Sequence, residues 1–219
     1  MSEFDYQWKN LPSKNIEYSE DRAKELLKLT KLPASFFEGK LCLDAGCGSG
    51  RYTYAMQRLG ANVDSFDLSE EVVNQCKKIN PKAYVFDLLN LDQTPIYDFV
   101  LCWGVLHHLP DPRLGFQKVA SQLRCSGILH IMVYHRKTQE IYEEGRQRWQ
   151  NLGTEERLRL VQEMIQKIGG DVHGWWDAFN PRYNWSFEPR EIERWFRDEG
   201  FEDIKLTQKY NINMRGKKK

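Results

Sequence analysis

The sequence has no long hydrophobic run. No stretch of its 219 residues approaches the roughly 18 to 20 consecutive apolar residues that are needed to span a bilayer. The opening residues, MSEFDYQWKN, have neither the basic start nor the apolar centre of a secretory signal. We therefore expect a soluble, cytoplasmic protein without a membrane span.

An excess of charge of one sign is also missing. The chain carries 32 basic and 31 acidic residues, which leaves a net charge of +1 at pH 7. A protein that binds nucleic acid through its phosphates usually presents a clear basic excess. The charge balance therefore gives no reason to expect strong attraction to nucleic acid, which we do not expect as a partner.

The cysteine pattern does not suggest a zinc site or a set of disulfides. The number of cysteines is odd, and no two are arranged as Cys-x-x-Cys. We predict reduced thiols in a cytosolic protein, with no metal site and no disulfide. The cysteines are Cys42, Cys47, Cys76, Cys102 and Cys125.

The chain is organised around residues 41–53, LCLDAGCGSGRYT. Its first part is short and apolar enough to be a buried parallel strand, which Asp44 ends. The glycines that follow have no side chain, so main-chain amides can approach a ligand closely at the start of the next helix. These glycines are Gly46, Gly48 and Gly50. The pattern predicts a nucleotide-like ligand at a strand-to-helix turn.

The spacing of these glycines disfavours a dinucleotide such as NAD. The dinucleotide motif Gly-x-Gly-x-x-Gly would place its third glycine at position 51, which is Arg51. Asp44 lies two residues before the first glycine, where a carboxylate would repel a pyrophosphate but could hold an ammonium group. The ligand is therefore predicted to be a nucleoside with a positive charge at this end. Asp67 suits the hydroxyls of a ribose. NAD enzymes place an acid similarly, so this residue supports a nucleoside without deciding between NAD and another nucleoside cofactor.

The segment Asp44-Ala45-Gly46-Cys47-Gly48-Ser49-Gly50 resembles the first motif of class I methyltransferases that use S-adenosylmethionine (SAM), acid-x-Gly-x-Gly-x-Gly. The resemblance extends over roughly residues 40–200 and implies SAM as cofactor and direct transfer of its methyl group. It also implies that Asp87 and Leu88 face the adenine and that Trp103 lies beneath the adenosine. The residues that it assigns to the cofactor are Asp44, Gly46, Gly48, Gly50, Asp67, Leu68, Asp87, Leu88 and Trp103.

Strands and helices alternate along the chain, which is typical of a doubly wound sheet. We predict an α/β, Rossmann-like, mostly parallel sheet of seven strands, with a C-terminal antiparallel hairpin and a helical, aromatic insertion after the fifth strand. The predicted strands are Leu41–Asp44, Ala61–Phe66, Lys82–Phe86, Tyr97–Trp103, Ile128–Tyr134, Phe201–Thr207 and Tyr210–Arg215. The predicted helices are Glu20–Leu32, Arg51–Leu59, Glu70–Ile79, Arg113–Leu123, Thr138–Gln150, Glu155–Ile168 and Glu188–Glu199.

The length favours a single methyltransferase domain over residues 1–219, because two separate cores would be small. We divide it into an N-terminal cap segment, a SAM-binding core, a substrate-lid insertion, and the last helix with its hairpin. Their bounds are 1–39, 40–135, 136–187 and 188–219.

Two terminal segments are expected at the surface. The aromatic residues Phe4, Tyr6 and Trp8 could cover the ligand or dock on the protein, and the sequence favours docking. The last five residues, RGKKK, have the composition of a solvated tail.

The segment after the fourth strand, GVLHHLPDP, is similar to that of small-molecule methyltransferases of the ubiquinone and arsenite type. His107 is the candidate general base, because a histidine can remove a proton from the acceptor near neutral pH. His108 is a candidate substrate residue. On a helix, adjacent side chains diverge by about 100 degrees, so at most one histidine is expected to face the pocket. The alternative is that both are packing or surface residues.

The insertion contains the aromatic segment DVHGWWDAFNPRYNWSF. In a doubly wound sheet, a loop after the carboxyl end of a strand stands over the ligand, so the insertion is well placed to enclose a substrate. Its candidate substrate residues are Trp176, Tyr183 and Trp185. For each aromatic residue alone, the alternative is a hydrophobic cluster beneath a long loop.

Two other functions stay open at this stage. A tRNA or other RNA methyltransferase that acts on exocyclic amino groups usually has Asn/Asp-Pro-Pro-Tyr/Phe after the fourth strand, where this chain has Cys102-Trp103-Gly104-Val105. A non-catalytic SAM-binding subunit or scaffold would keep the same acids and glycines without turnover. The acceptor atom and the oligomeric state are not specified by these patterns.

Overall fold

A computed structural model describes residues 4–11 and 18–219, apart from the side chains of residues 140 and 141. The strands are β1 Leu41–Ala45, β2 Asn62–Asp67, β3 Tyr84–Val85, β4 Tyr97–Trp103, β5 Leu123–Val133, β6 Phe201–Gln208 and β7 Ile212–Lys218. The α-helices are α1 Asp5–Asn10, α2 Glu20–Thr30, α3 Arg51–Arg58, α4 Glu70–Cys76, α5 Pro112–Ala120, α6 Arg136–Trp149, α7 Thr154–Ile168, α8 Val172–Phe179 and α9 Pro189–Asp198.

The strands form one seven-stranded sheet in the order β3-β2-β1-β4-β5-β7-β6. The first five strands pair in parallel, whereas β7 is antiparallel to both β5 and β6. This arrangement confirms the predicted fold class, including the C-terminal hairpin. Because the order reverses at β1 and β4, the carboxyl ends of the parallel strands open a crevice there.

A parallel sheet needs apolar cover on both faces, and helices supply it here. On one face, α5 and α9 contribute Phe116, Ile192 and Phe196 to the larger core cluster. On the other, α2 and α3 contribute Leu26 and Met56 to a second cluster. Of the helices in the described part of the chain, none is long and apolar enough to cross a membrane.

Several boundaries differ from the prediction. The third strand is restricted to Tyr84–Val85, and β5 begins at Leu123 instead of Ile128. Helix α8 lies inside the segment that was predicted as an aromatic loop. Its start is stabilised by Asp171, whose carboxylate accepts a hydrogen bond from the Gly174 amide at 2.9 Å. Gly174 and the aromatic residues after it are not typical of a helix start, so the sequence did not indicate that Asp171 is a cap.

The prediction of a solvated C-terminal tail was wrong. Strand β7 continues to Lys218 and pairs with β5 and β6 at once. Arg215 is only 8% exposed, and it lies opposite His130 in the sheet. Without this strand β5 would be an open edge, so backbone pairing overrides the basic composition.

Replacing Gly216 with alanine tests this strand. The added Cβ would lie 2.7 Å from Cδ1 of the fully buried Phe196. We expect the free energy of unfolding, measured with urea, to fall by about 1 to 3 kcal/mol. Lys219→Ala, at an exposed position just beyond the strand, is the control and should have no effect. Equal stability of both variants would contradict the placement of Gly216 in the sheet.

Candidate active site

A cavity of 830 Å³ opens at the carboxyl ends of the parallel strands. It brings together most of the residues that the sequence predicted for cofactor and acceptor. Those that line it are Asp44, Gly46, Gly48, Asp67, Leu68, Asp87, Leu88, Trp103, His107, His108 and Tyr183. One cavity thus contains both halves of the predicted site.

The glycine turn forms its wall with backbone in place of side chains. Gly46 has a φ of +79°, and a Cβ there would lie 2.3 Å from Cγ2 of Val105. The amides of Gly46 and Cys47 both donate to the Phe66 carbonyl at 2.9 Å, which ties the turn to β2. A side chain at position 46 would therefore clash with Val105 in the cavity wall.

Gly50 packs the glycine turn against the residues at the end of α4. It has a φ of +93°, and a Cβ would lie 2.8 Å from Cys76 Sγ and from Ile79 Cδ1. Gly50 precedes α3 and does not belong to the cavity wall. Its small size lets the turn pack against Cys76 and Ile79, and its contact with the cofactor stays a prediction.

Asp67 ends β2 with its carboxylate facing the glycine turn. The carboxylate accepts hydrogen bonds from the amides of Gly48 at 2.9 Å and Ser69 at 3.0 Å. Burial raises the pKa of Asp67, and these amide bonds oppose the rise. Ser69, and not Asp67, is the N-cap residue of α4, so capping does not account for the acid. A carboxylate has lone pairs left to accept further hydroxyls.

Asp44 is 2% exposed at the end of β1. Its Oδ2 accepts a hydrogen bond from the Thr53 hydroxyl at 2.7 Å. Burial raises the pKa of Asp44 to about 6, although the bonds from Thr53 oppose the rise. A cationic group in the cavity would favour the ionised carboxylate, which agrees with the predicted contact to an ammonium.

Asp87 caps the short 3₁₀ turn Leu88–Asn90 and also lines the cavity. Its Oδ1 accepts a hydrogen bond from the Leu89 amide at 2.9 Å. Asp87 thus has a structural role in this turn. It leaves the other carboxylate oxygen available near the end of β3, on the same side of the crevice as Asp67.

Trp103 lines the cavity at the end of β4. Its indole N–H donates to Asn213 Oδ1 at 3.2 Å, and the Arg51 guanidinium lies 4.8 Å from its ring centre. The strand order separates β4 from β2 and β3 by β1, whereas Asp67 and Asp87 follow β2 and β3. Trp103 therefore lines the cavity at the end of β4, and its place beneath the adenosine stays a prediction.

His107 is buried at the other end of the cavity. It is 1% exposed and stacks on Tyr134 with ring centres 3.7 Å apart. Neither ring nitrogen has a hydrogen-bond partner in the described part of the chain. Burial, and then the neighbouring His108, holds the pKa of His107 well below its usual range, so the imidazole is neutral at pH 7.

His108 and Tyr134 meet Asp177 of α8. The Tyr134 hydroxyl donates to Asp177 Oδ2 at 3.2 Å, and His108 Nε2 lies 3.7 Å from the same oxygen. His108 Nδ1 lies 2.9 Å from the Tyr183 carbonyl, to which it must donate. Burial alone would raise the pKa of Asp177, but contacts from His108 and then Gln7 hold it well below its usual range.

Both histidines line the cavity, contrary to the expectation that at most one would. They belong to the single 3₁₀ turn Leu106–His108, not to a regular helix. The cavity also extends past this turn, with the glycine motif on one side and α8 on the other. The helical angle that was used for the prediction therefore does not apply.

Helix α1 covers part of the site. Gln7 Nε2 donates to Asp177 Oδ1 at 3.1 Å, and the Trp8 ring packs against His173 with centres 4.3 Å apart. Phe4 and Trp8 line the cavity, which corrects the preference for docking away from the ligand. The other residues of that segment, 1–3 and 12–17, lie outside the described residues.

Two predicted substrate residues do not line the cavity. Trp176 is 2% exposed, stacked on Tyr6 and packed against Trp149, so it belongs to the helical cluster of the insertion. Trp185 is 47% exposed, and its indole N–H donates to the Leu109 carbonyl at 3.0 Å. The alternative of a satellite cluster was therefore right for Trp176. Gln7 and Tyr134 are the residues that sequence reasoning missed, because their partner Asp177 lies far along the chain.

Residues 18–206 match the family model of the methyltransferase domain. The chain belongs to the methyltransferase domain family. This match confirms the resemblance that was drawn from the glycine motif, and SAM is the cofactor that membership of the family implies.

Two curated proteins are similar to parts of this chain. An uncharacterized protein of Synechococcus is 32% identical over 187 residues, which are 74% of this chain and 41% of that protein. A ubiquinone biosynthesis O-methyltransferase of Xanthomonas campestris is 32% identical over 106 residues, 45% of this chain and 44% of the relative. The chain thus spans less than half the length of these curated relatives.

A solved structure has the same fold. The magnesium protoporphyrin IX methyltransferase of Synechocystis, crystallised with S-adenosylhomocysteine, aligns with a TM-score of 0.59 and 19% identity. The alignment covers 94% of this chain and 86% of that protein.

Asp67→Ala tests the ribose end of the site. If Asp67 makes a charge-assisted hydrogen bond to the cofactor, its loss should weaken S-adenosylhomocysteine binding by about 1.5 to 3 kcal/mol in a calorimetric titration. Asp203→Ala, at an exposed acid of β6, is the control and should bind normally. Unchanged affinity in a folded Asp67→Ala protein would remove Asp67 from the site.

The raised pKa of Asp44 predicts a pH dependence. Without a ligand, the Asp44 carboxyl is protonated when the pH lies below its pKa of about 6, whereas a bound ammonium favours the ionised form. Affinity for S-adenosylhomocysteine should therefore rise with pH between about 5 and 7.5, by roughly tenfold for each unit by which the ligand lowers that pKa. Asp44→Asn should flatten this profile while Asp67 still titrates. A wild-type profile as flat as that of the variant would contradict the contact.

Proposed function

We propose that this protein transfers a methyl group from SAM to a small-molecule acceptor. The observation that carries the proposal is a single cavity that joins the acid–glycine turn and two strand-end acids to a cluster of His107, Tyr134 and Asp177. The carboxylates of Asp67 and Asp87 suit a nucleoside, and Asp44 suits an ammonium. SAM would supply a methyl group on a positively charged sulfur, a good leaving group for direct displacement.

The residues of the chain would act mainly by position. The glycine turn and its acids hold one reactant, and the histidine cluster lies at the other end of the same cavity. Holding the donor and acceptor in line can supply much of the rate of such a transfer. The stacked, neutral imidazole of His107 is the group proposed to take a proton from the acceptor.

The acceptor side is proposed to be closed by the insertion, residues 136–187, and by helix α1. The hydrogen bond between Gln7 and Asp177 joins these two segments across the cavity. Closure would exclude water while charge is neutralised in the transfer. His108 and Tyr183 would then contact the acceptor. The division of the chain into a cap segment, a core, an insertion and a final helix with its hairpin stays a prediction.

A cytoplasmic location also belongs to this proposal. All five cysteines, each within the described part of the chain, are free. Burial raises the pKa of Cys42 and Cys102, so these thiols are protonated. Free thiols in this number are usual in a reducing compartment and support that location.

A calorimetric titration with S-adenosylhomocysteine, beside NADH at equal concentration, tests the function. We expect S-adenosylhomocysteine alone to bind, and transfer of a labelled methyl group from SAM to a metabolite extract to follow. Binding of NADH would favour an oxidoreductase. If S-adenosylhomocysteine binds but no label is transferred, the non-catalytic SAM-binding subunit becomes the better account.

His107→Phe tests the proposed base. The phenyl ring keeps the stack on Tyr134 but cannot accept a proton, so we expect labelled methyl transfer to fall by about 10² to 10⁴. Affinity for S-adenosylhomocysteine should stay unchanged. His135→Phe, outside the cavity wall, is the control. Equal incorporation of label by wild type and His107→Phe would show that His107 is not the base, while the proposed methyl transfer would still stand.

A further inference from the structure

A second cavity, of 660 Å³, lies beside the active site. Helix α6, the first turn of α7 and the segment after α8 form its walls. Among the described residues that line it, arginine is the main charged type, opposed by one glutamate. These charged residues are Arg136, Arg146, Arg157, Arg182 and Glu143. We call it the arginine pocket.

Arg146 is partly buried in the wall between the two cavities. Its Nε donates to the Ala178 carbonyl at 2.8 Å, and its guanidinium also donates to Gln139 Oε1. Both acceptors are neutral. Burial lowers the pKa of Arg146, although Tyr134 and Glu143 oppose that shift. The cation is thus partly removed from water without an ion pair to any carboxylate whose side chain is described.

Arg157 is a second cation that has no ion pair with a carboxylate whose side chain is described. Its guanidinium lies 5.0 Å from the ring centre of Trp149, which holds it in place without neutralising its charge. Its Nε is buried and has no hydrogen-bond partner in the described part of the chain. A buried donor of this kind is costly unless a ligand satisfies it.

The pocket lies next to the acceptor end of the active site. Gln139 and Arg182 belong to the walls of both cavities. Arg136 has a carboxylate partner, Glu191 at 3.1 Å, whereas neither Arg146 nor Arg157 forms an ion pair with a carboxylate whose side chain is described. A ligand that occupied both cavities would have its anionic end at these two side chains.

We propose that the arginine pocket binds an anionic group, a carboxylate or a phosphate, on the small-molecule acceptor whose reacting atom lies in the active-site cavity. This inference rests on the proposed function and adds the chemical class of the acceptor. Guanidinium groups suit both anions, because their paired N–H donors match the paired oxygens. The cavity volume of 660 Å³ and the net charge of +1 favour a small anion over a polynucleotide.

Calorimetric titration with inorganic phosphate and, separately, with succinate tests the pocket at constant ionic strength. The two probes distinguish a phosphate site from a carboxylate site. We expect one of them to bind wild-type protein, and Arg157→Gln to weaken that binding at least about tenfold. Arg159→Gln is the matched control, because Arg159 is on the same helix, its side chain is 74% exposed and it pairs with Glu155. It should bind like wild type.

A second variant and a second ligand make the result decisive. Arg146→Gln should weaken anion binding as Arg157→Gln does. With two variants, the test still works if one of them does not fold. S-adenosylhomocysteine should bind wild type and all three variants equally. If wild type binds S-adenosylhomocysteine but neither anion, the pocket proposal fails and the transferase stands. If it binds an anion but not S-adenosylhomocysteine, the proposed function fails, and with it the link to an acceptor.

Two other outcomes would overturn the inference. Equal loss of anion binding in Arg157→Gln and Arg159→Gln would show general charge attraction and no pocket. The protein could instead bind a polyuridine oligonucleotide far more tightly than phosphate, with a steep salt dependence that Arg157→Gln reduces. That result would identify nucleic acid, and not a small anion, as the ligand of the pocket.

Discussion

The reversal of strand order at β1 and β4 is the constraint on which the site depends. Parallel strands end at the same edge of a sheet, so an acid that follows one strand meets the acid that follows its neighbour. Asp44, Asp67 and Asp87 come from three separate parts of the sequence, yet all line one cavity. The hydrogen bond from the Gly48 amide to Asp67 then connects the glycine turn of β1 with the end of β2.

The two ends of this cavity treat buried acids in opposite ways. At the glycine turn, burial raises the pKa of Asp44 to about 6, so the carboxylate gains from a cation that arrives with a ligand. At the acceptor end, contacts from His108 and Gln7 hold Asp177 ionised without any ligand. The first acid suits binding, whereas the second organises the polar side chains around the acceptor.

The insertion and helix α1 complete the acceptor end together. Asp177 comes from the insertion, Gln7 from α1 and Tyr134 from the last residues before the insertion, and all three meet by hydrogen bonds. The same insertion forms the arginine pocket on its other side, with Gln139 in the shared wall. The segment that departs from simple strand–helix alternation thus contributes to the walls of both cavities.

The sequence by itself determined the fold class, the family and the acids of the cofactor end, because those residues lie in or directly after short, regular strands and obey local spacing rules. Only the tertiary structure decided the positions of Trp103, Gly50 and the C-terminal strand, since strand order and edge pairing are not local. It also decided that Gln7 and Tyr134 meet Asp177. Such contacts join residues more than forty positions apart, and their side chains carry no sequence pattern that specifies the partner.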